Sequence, residues 1–182
     1  MSILRAKIVI VPLGEADLGL VNKVASALGG VFNRGVDILK GMRMPQEAFN
    51  ETRSQYYARI ILSKLERLKA NQRETIIGIC EQDLYLPNRH FVLGYSDNLG
   101  STGVISLFHF RQEFYGLPED DQKIYPRLYK EVIHQMANIY SIPGCANPSC
   151  VHYDSENMLD IDNKSERLCD ICIRSLQQVR TI

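Results

Sequence analysis

Residues 128–172 constrain this chain more than any other stretch, above all the part LYKEVIHQMANIYSIPGCANPSC. Leu128, Val132, Met136, Ile139 and Tyr140 recur at helical spacing and make one apolar stripe of an amphipathic helix. The helix stops at Ser141-Ile142-Pro143-Gly144 and runs straight into a cysteine knuckle. His134 and Asn138 stand four apart on one side of it, where two side chains can point at a common object.

Cys145 and Cys150 form one close pair, and Cys169 and Cys172 a second, with residues 151–168 between them. Four thiolates at such spacing suit tetrahedral zinc, which has no geometric preference of its own and binds thiolate well. A single structural zinc on Cys145, Cys150, Cys169 and Cys172 would staple the tail to the end of the long helix. Its binding energy would then be folding energy. Disulfides fit less well, because five cysteines are an odd number in a chain whose start reads as no signal peptide. A redox C-x-x-C normally opens a helix after a first strand, whereas Cys169 lies late in the chain. Reduced thiols and a cytoplasmic location are therefore expected. Cys80, in a predicted strand, reads as a small buried hydrophobe.

Composition excludes several classes. Lys+Arg and Asp+Glu are both 21, so neither a nucleic-acid footprint nor a membrane-surface patch is expected. No apolar run approaches the ~20 residues of a membrane span. Gly14, Gly19, Gly29 and Gly30 make no G-x-G-x-x-G, and no phosphate loop occurs. The spacing of apolar residues predicts strands over 7–13, 31–42, 74–80, 91–93 and 104–108, with helices over 17–28 and 56–68. The first helix is expected to end at Gly29-Gly30. This order implies a mixed sheet with helices on it and a small C-terminal lobe from about Pro143.

The chain resembles the archaemetzincins, a branch of the metzincin zinc peptidases. The resemblance covers most of it. It includes Arg53, Gln55 and Tyr56, the run Asp83-Leu84-Tyr85-Leu86-Pro87, Phe91-Val92-Leu93-Gly94, Val104-Ile105-Ser106-Leu107, and Arg111-Gln112-Glu113-Phe114-Tyr115-Gly116-Leu117-Pro118. The general signature is H-E-x-x-H-x-x-G-x-x-H followed by a methionine turn. The archaemetzincins continue it into C-x4-C and a later C-x-x-C that hold a structural zinc. The resemblance implies an α/β (α+β) fold with a twisted mixed sheet, a backing helix and an active-site helix. It implies a metzincin-like part over 1–142 and a zinc-bound lobe with a terminal helix over 143–182.

All four structural cysteines match, but the catalytic positions mostly do not. His134 matches the first histidine. Gln135 replaces the glutamate, Asn138 the second histidine, Ser141 the glycine and Gly144 the third histidine, and His152 falls at the methionine. A peptidase zinc takes three protein ligands and an open position for water. Gln135 has no basic form near neutral pH, and general-base assistance alone is worth ~10²–10⁴ in rate. A second, catalytic zinc is therefore not expected, and the helix exit at Ser141 is expected to be rerouted through Pro143-Gly144.

The resulting expectation is an inactive archaemetzincin-like monomer that keeps the fold, one zinc and a cleft. The cleft would hold a peptide or protein along a sheet edge near residues 91–94 or 104–107. The alternative is an active zinc peptidase with a rearranged site on His134 and His152, aided by Asn138 or Glu131. Lys164, Arg167, Arg174 and Arg180 are too few among acids to make the cysteine lobe a nucleic-acid binder. His90 and His109 read as surface or hydrogen-bonded residues. Asp154, Glu156, Asp160 and Asp162 read as solvated, and Glu119-Asp120-Asp121 as the charge complement of the helix start.

Overall fold

The structure, a computed structural model, describes residues 6–180. The side chain of Arg180 lies outside the described residues. The chain opens with β1 (Lys7–Leu13) and α1 (Leu18–Phe32). Asp17 starts α1 by accepting the main-chain N–H groups of Gly19 and Leu20. The expected stop at Gly29-Gly30 does not occur. The helix runs through both to Phe32, and Asn33 caps it in the left-handed region at φ 50°. Phe32 is only 1% exposed, and burying it gains roughly 1.5–3 kcal/mol. That offsets the cost of about 1 kcal/mol for each helical glycine. The predicted strand over 31–42 shrinks accordingly to β2 (Gly35–Ile38).

Next come β3 (Phe49–Asn50), β4 (Gln55–Tyr57) and α2 (Ala58–Glu66). The helix predicted over 56–68 starts later because Tyr56 and Tyr57 pair with Leu84 and Tyr85. Five strands follow: β5 (Thr75–Cys80), β6 (Leu84–Leu86), β7 (Arg89–Val92), β8 (Gly94–Asp97) and β9 (Thr102–Ser106). The remaining helices are α3 (Asp121–Ile139), α4 (Met158–Asn163) and α5 (Asp170–Arg180). Asp120 caps α3 by accepting the N–H of Gln122, the role expected of this acidic run.

The strands form two sheets, in the orders β2-β1-β5-β9-β8 and β3-β4-β6-β7. In the larger sheet β2, β1, β5 and β9 are parallel and β8 runs antiparallel to β9. The alternation of a pleated strand sorts its side chains between two cores. Ile8, Ile10, Ile77, Ile79 and Ile105 face α1 and α3. Val9, Val11, Leu13, Ile76 and Val104 face α2. Residues 104–107 are no sheet edge, because β9 is paired on both sides. The larger sheet is edged by β2 and β8 and the smaller by β3 and β7, so residues 91–94 do lie on edge strands.

The C-terminal segment packs under α3, adding Val151, Met158, Ile161 and Leu176 to the same core. Arg127 binds Asp162 through Nε and Nη2 at 2.8 and 2.6 Å, and Nη1 donates to the Phe110 carbonyl at 2.7 Å. Asp162 is therefore an anchor, not a solvated acid. Lys130 donates to the Ile161 carbonyl and Lys164 to that of Tyr153, both from nearly buried positions.

Candidate functional site: a cysteine cluster and a cleft beside an edge strand

Helix α3 ends in a Schellman-type turn. The N–H of Ile142 donates to the Ala137 carbonyl at 3.0 Å and that of Ser141 to Asn138 at 2.9 Å. Ser141 itself takes the left-handed conformation, φ 56°. The expected rerouting through Pro143-Gly144 does not happen. The side chain tolerates what glycine would do more freely, and Asn98 Nδ2 donates to Ser141 Oγ at 3.1 Å. The chain thus leaves α3 with the sharp turn needed to bring Cys145 under the helix end.

The four cysteines converge there. Their sulfurs all lie within 4.8 Å of one another. Cys145 and Cys169 are 3.7 Å apart, and Cys150 and Cys172 are 3.9 Å apart. A tetrahedron with zinc–sulfur arms of ~2.3 Å has edges of roughly 3.8 Å, so the donor set fits that ion. The N–H groups of His152 and Cys169 both donate to Cys150 Sγ, at 3.4 and 3.2 Å. The Cys172 main chain stabilises the Cys169 thiolate and lowers its pKa to about 7, while burial pushes Cys145 and Cys172 up. Cys80 lies apart, fully buried in β5, and burial raises it to about 12.

Above this cluster a cleft of about 270 Å³ opens between residues 89–96, α3 and residues 154–156. His134, Gln135 and Asn138 line it. His134 Nδ1 is 3.2 Å from the His152 carbonyl, which only accepts, so Nδ1 carries the proton. Asn138 Nδ2 then donates to Nε2 at 3.2 Å. Both ring nitrogens of His134 are engaged. Gln135 is held at both ends: Nε2 donates to Glu131 Oε1 at 2.7 Å, and Oε1 accepts from Ser96 Oγ at 2.7 Å. Gly144 is exposed and offers no side chain.

His152 does reach His134, with ring centroids 5.2 Å apart. Its Nε2 donates to the Ile142 carbonyl at 3.1 Å, and its Nδ1 is buried without a partner among the described atoms. Burial, ahead of other causes, lowers the pKa of both histidines and keeps the rings neutral. Asp154 is largely solvated, as expected, with its side chain 71% exposed and its carboxylate 3.8 Å from His134 Nε2. Asp160 accepts the Glu156 N–H. His109 is buried and bound to Asp83 at 3.0 Å, and His90 is exposed.

Residues 32–178 match the model of peptidase family M54. The chain belongs to that family, the archaemetzincins. It is 32% identical to an archaemetzincin of Methanocaldococcus jannaschii over 94% of this chain and 93% of that one. A zinc-dependent peptidase of Methanocorpusculum labreanum has the same fold, with a TM-score of 0.84, 26% identity, and 93% of this chain and 99% of that chain covered. An archaemetzincin of Archaeoglobus fulgidus, crystallised with malonate, superimposes with a TM-score of 0.79 at 26% identity over 93% of this chain and 99% of that one.

Family membership implies zinc, and the cysteine cluster is a possible site for it. At the helix, the three positions that the metzincin signature gives to histidine are held here by His134, Asn138 and Gly144. One imidazole with both nitrogens engaged, one amide and one glycine do not fit a three-ligand zinc. Sequence reasoning missed Ser96 and the anchoring role of Asp162. It named Glu131 only as an auxiliary ligand, although Glu131 and Gln135 at i, i+4 already place both on one helix face.

Proposed function

We propose that this archaemetzincin is a non-hydrolytic member of its family that keeps one structural zinc and uses its cleft to bind a peptide or protein. The observation that carries this reading is the state of Gln135. The residue at the family's general-base position is an amide locked between Glu131 and Ser96, and it cannot take a proton from water. The engaged nitrogens of His134 support the same reading. The zinc sits on Cys145, Cys150, Cys169 and Cys172, and residues 143–182 form the lobe it holds together.

The peptide lies along β8, whose outer edge pairs with no other described strand. The Leu93 carbonyl accepts from the Ser106 N–H, so Tyr95 and Asp97 face β9 and the main-chain groups of Gly94 and Ser96 face outward. No helix of the described residues is long and apolar enough to cross a membrane. A cytoplasmic monomer that binds no nucleic acid completes the reading, supported by five free cysteines and zero net charge.

Elemental analysis tests it. One zinc per chain, lost in Cys169→Ser, together with no zinc-dependent peptide hydrolysis, is the expected result. The second reading is a rearranged peptidase site on His134 and His152. The orphaned Nδ1 of His152 beside His134 favours it, although His134 must first release Asn138. Two zincs in the wild type, one surviving Cys169→Ser and lost in His134→Ala, would establish that reading instead.

A further inference from the structure

The peptide-binding reading leaves open what the peptide must carry. The floor of the cleft answers that. Glu131 is only 2% exposed, yet it lines the cavity. Its Oε1 holds Gln135, while Oε2 is buried and has no hydrogen-bond partner among the described atoms. A buried carboxylate oxygen without a donor is costly, and such groups are normally satisfied. Asp154 and Glu156 add two more carboxylates to the same cavity.

The cations nearby do not fill the gap. Lys164 acts on Glu131 through charge, but its hydrogen bond goes to the Tyr153 carbonyl at 2.9 Å, and Arg89 stands exposed on the rim. Gly94 makes room for the Glu131 carboxylate beneath β8. A Cβ added there would meet Glu131 Oε1 at 2.8 Å and Gln135 Nε2 at 2.9 Å. The glycine therefore lies directly against the carboxylate, on the strand whose free edge faces outward.

We propose that the cleft is a receptor for a cationic side chain, a lysine or arginine of an extended peptide paired with β8. This inference rests on the peptide-binding reading. The peptide backbone adds to the edge at Gly94 and Ser96. The ammonium or guanidinium of one side chain donates to Glu131 Oε2, with Asp154 and Glu156 contributing at longer range.

The test uses short fluorescent peptides of one extended sequence with a single varied central residue: lysine, arginine, norleucine, citrulline or glutamate. Binding to the full zinc-loaded chain is read by anisotropy. The lysine or arginine peptide is expected to bind about tenfold to a hundredfold more tightly than norleucine or citrulline. That preference should collapse in Glu131→Gln and weaken in Asp154→Asn, a surface change with little risk to folding. Ser96→Pro removes an outward N–H without touching the ladder to β9, and should weaken every peptide well beyond Ser96→Ala, which controls for the hydroxyl lost from Gln135. Equal binding of the norleucine and lysine peptides, still lost in Ser96→Pro, would overturn the cationic inference and leave the peptide cleft standing. Binding of no peptide, or binding indifferent to Ser96→Pro, would overturn both.

Discussion

Asp162→Asn should loosen the wall of the cleft by releasing the C-terminal segment from α3. Arg127 is 4% exposed and makes three short bonds, two of them to Asp162. The amide keeps one acceptor for Nε but turns a donor toward Nη2 and removes the countercharge. A fully buried pair broken from one side costs ~3–5 kcal/mol. The Asp162 side chain is 37% exposed, and water and salt screen part of the lost attraction. The retained bond to the Phe110 carbonyl reduces the penalty further. About 2 kcal/mol remains, comparable to the loss of one charge-assisted hydrogen bond. Urea unfolding of the zinc-loaded chain, with hydrogen exchange of residues 151–163 as the local readout, measures it. The double variant Arg127→Met with Asp162→Leu should recover part of the loss, because two apolar groups leave no buried charge unpaired. A loss under about 0.5 kcal/mol in Asp162→Asn, as for an ordinary surface pair, would refute the anchoring argument.

The left-handed Ser141 makes a second test: Ser141→Gly should hold or gain stability, whereas Ser141→Val should lose at least about 1 kcal/mol in the same unfolding assay. Thiol labelling separates the cysteines. The four clustered thiols should resist reagent until a chelator is added, while Cys80, which burial raises to about 12, should react only on unfolding. The helix exit keeps its sharp turn, and a Cβ on Gly144 meets nothing within 4 Å, so a side chain has room there. Asn138→His combined with Gly144→His should therefore raise the zinc content from one to two per chain. An unchanged count would show that the backbone does not bring positions 134, 138 and 144 onto one ion.

The resemblance to the archaemetzincins, carried by motifs along most of the chain, and the two close cysteine pairs that form a possible metal site were legible in the sequence alone. Local chemistry suffices there, since close cysteine pairs converge on an ion wherever the loop allows. β1 and β5 were legible for a similar reason, as short unbroken apolar runs buried on both faces. Only the tertiary structure decided the rest. Burial of Phe32 carried α1 through two glycines, and pairing of β4 with β6 took the start of a predicted helix into a strand. Of the two expected edges, residues 91–94 lie on the edge strands β7 and β8 and residues 104–107 on the internal β9, because strand order depends on contacts between residues distant in the chain. Lone letters such as Asp162 and Glu131 acquired roles through partners brought in by folding. The lock on Gln135 needs Ser96 from a strand 39 residues away, and no local pattern encodes that meeting.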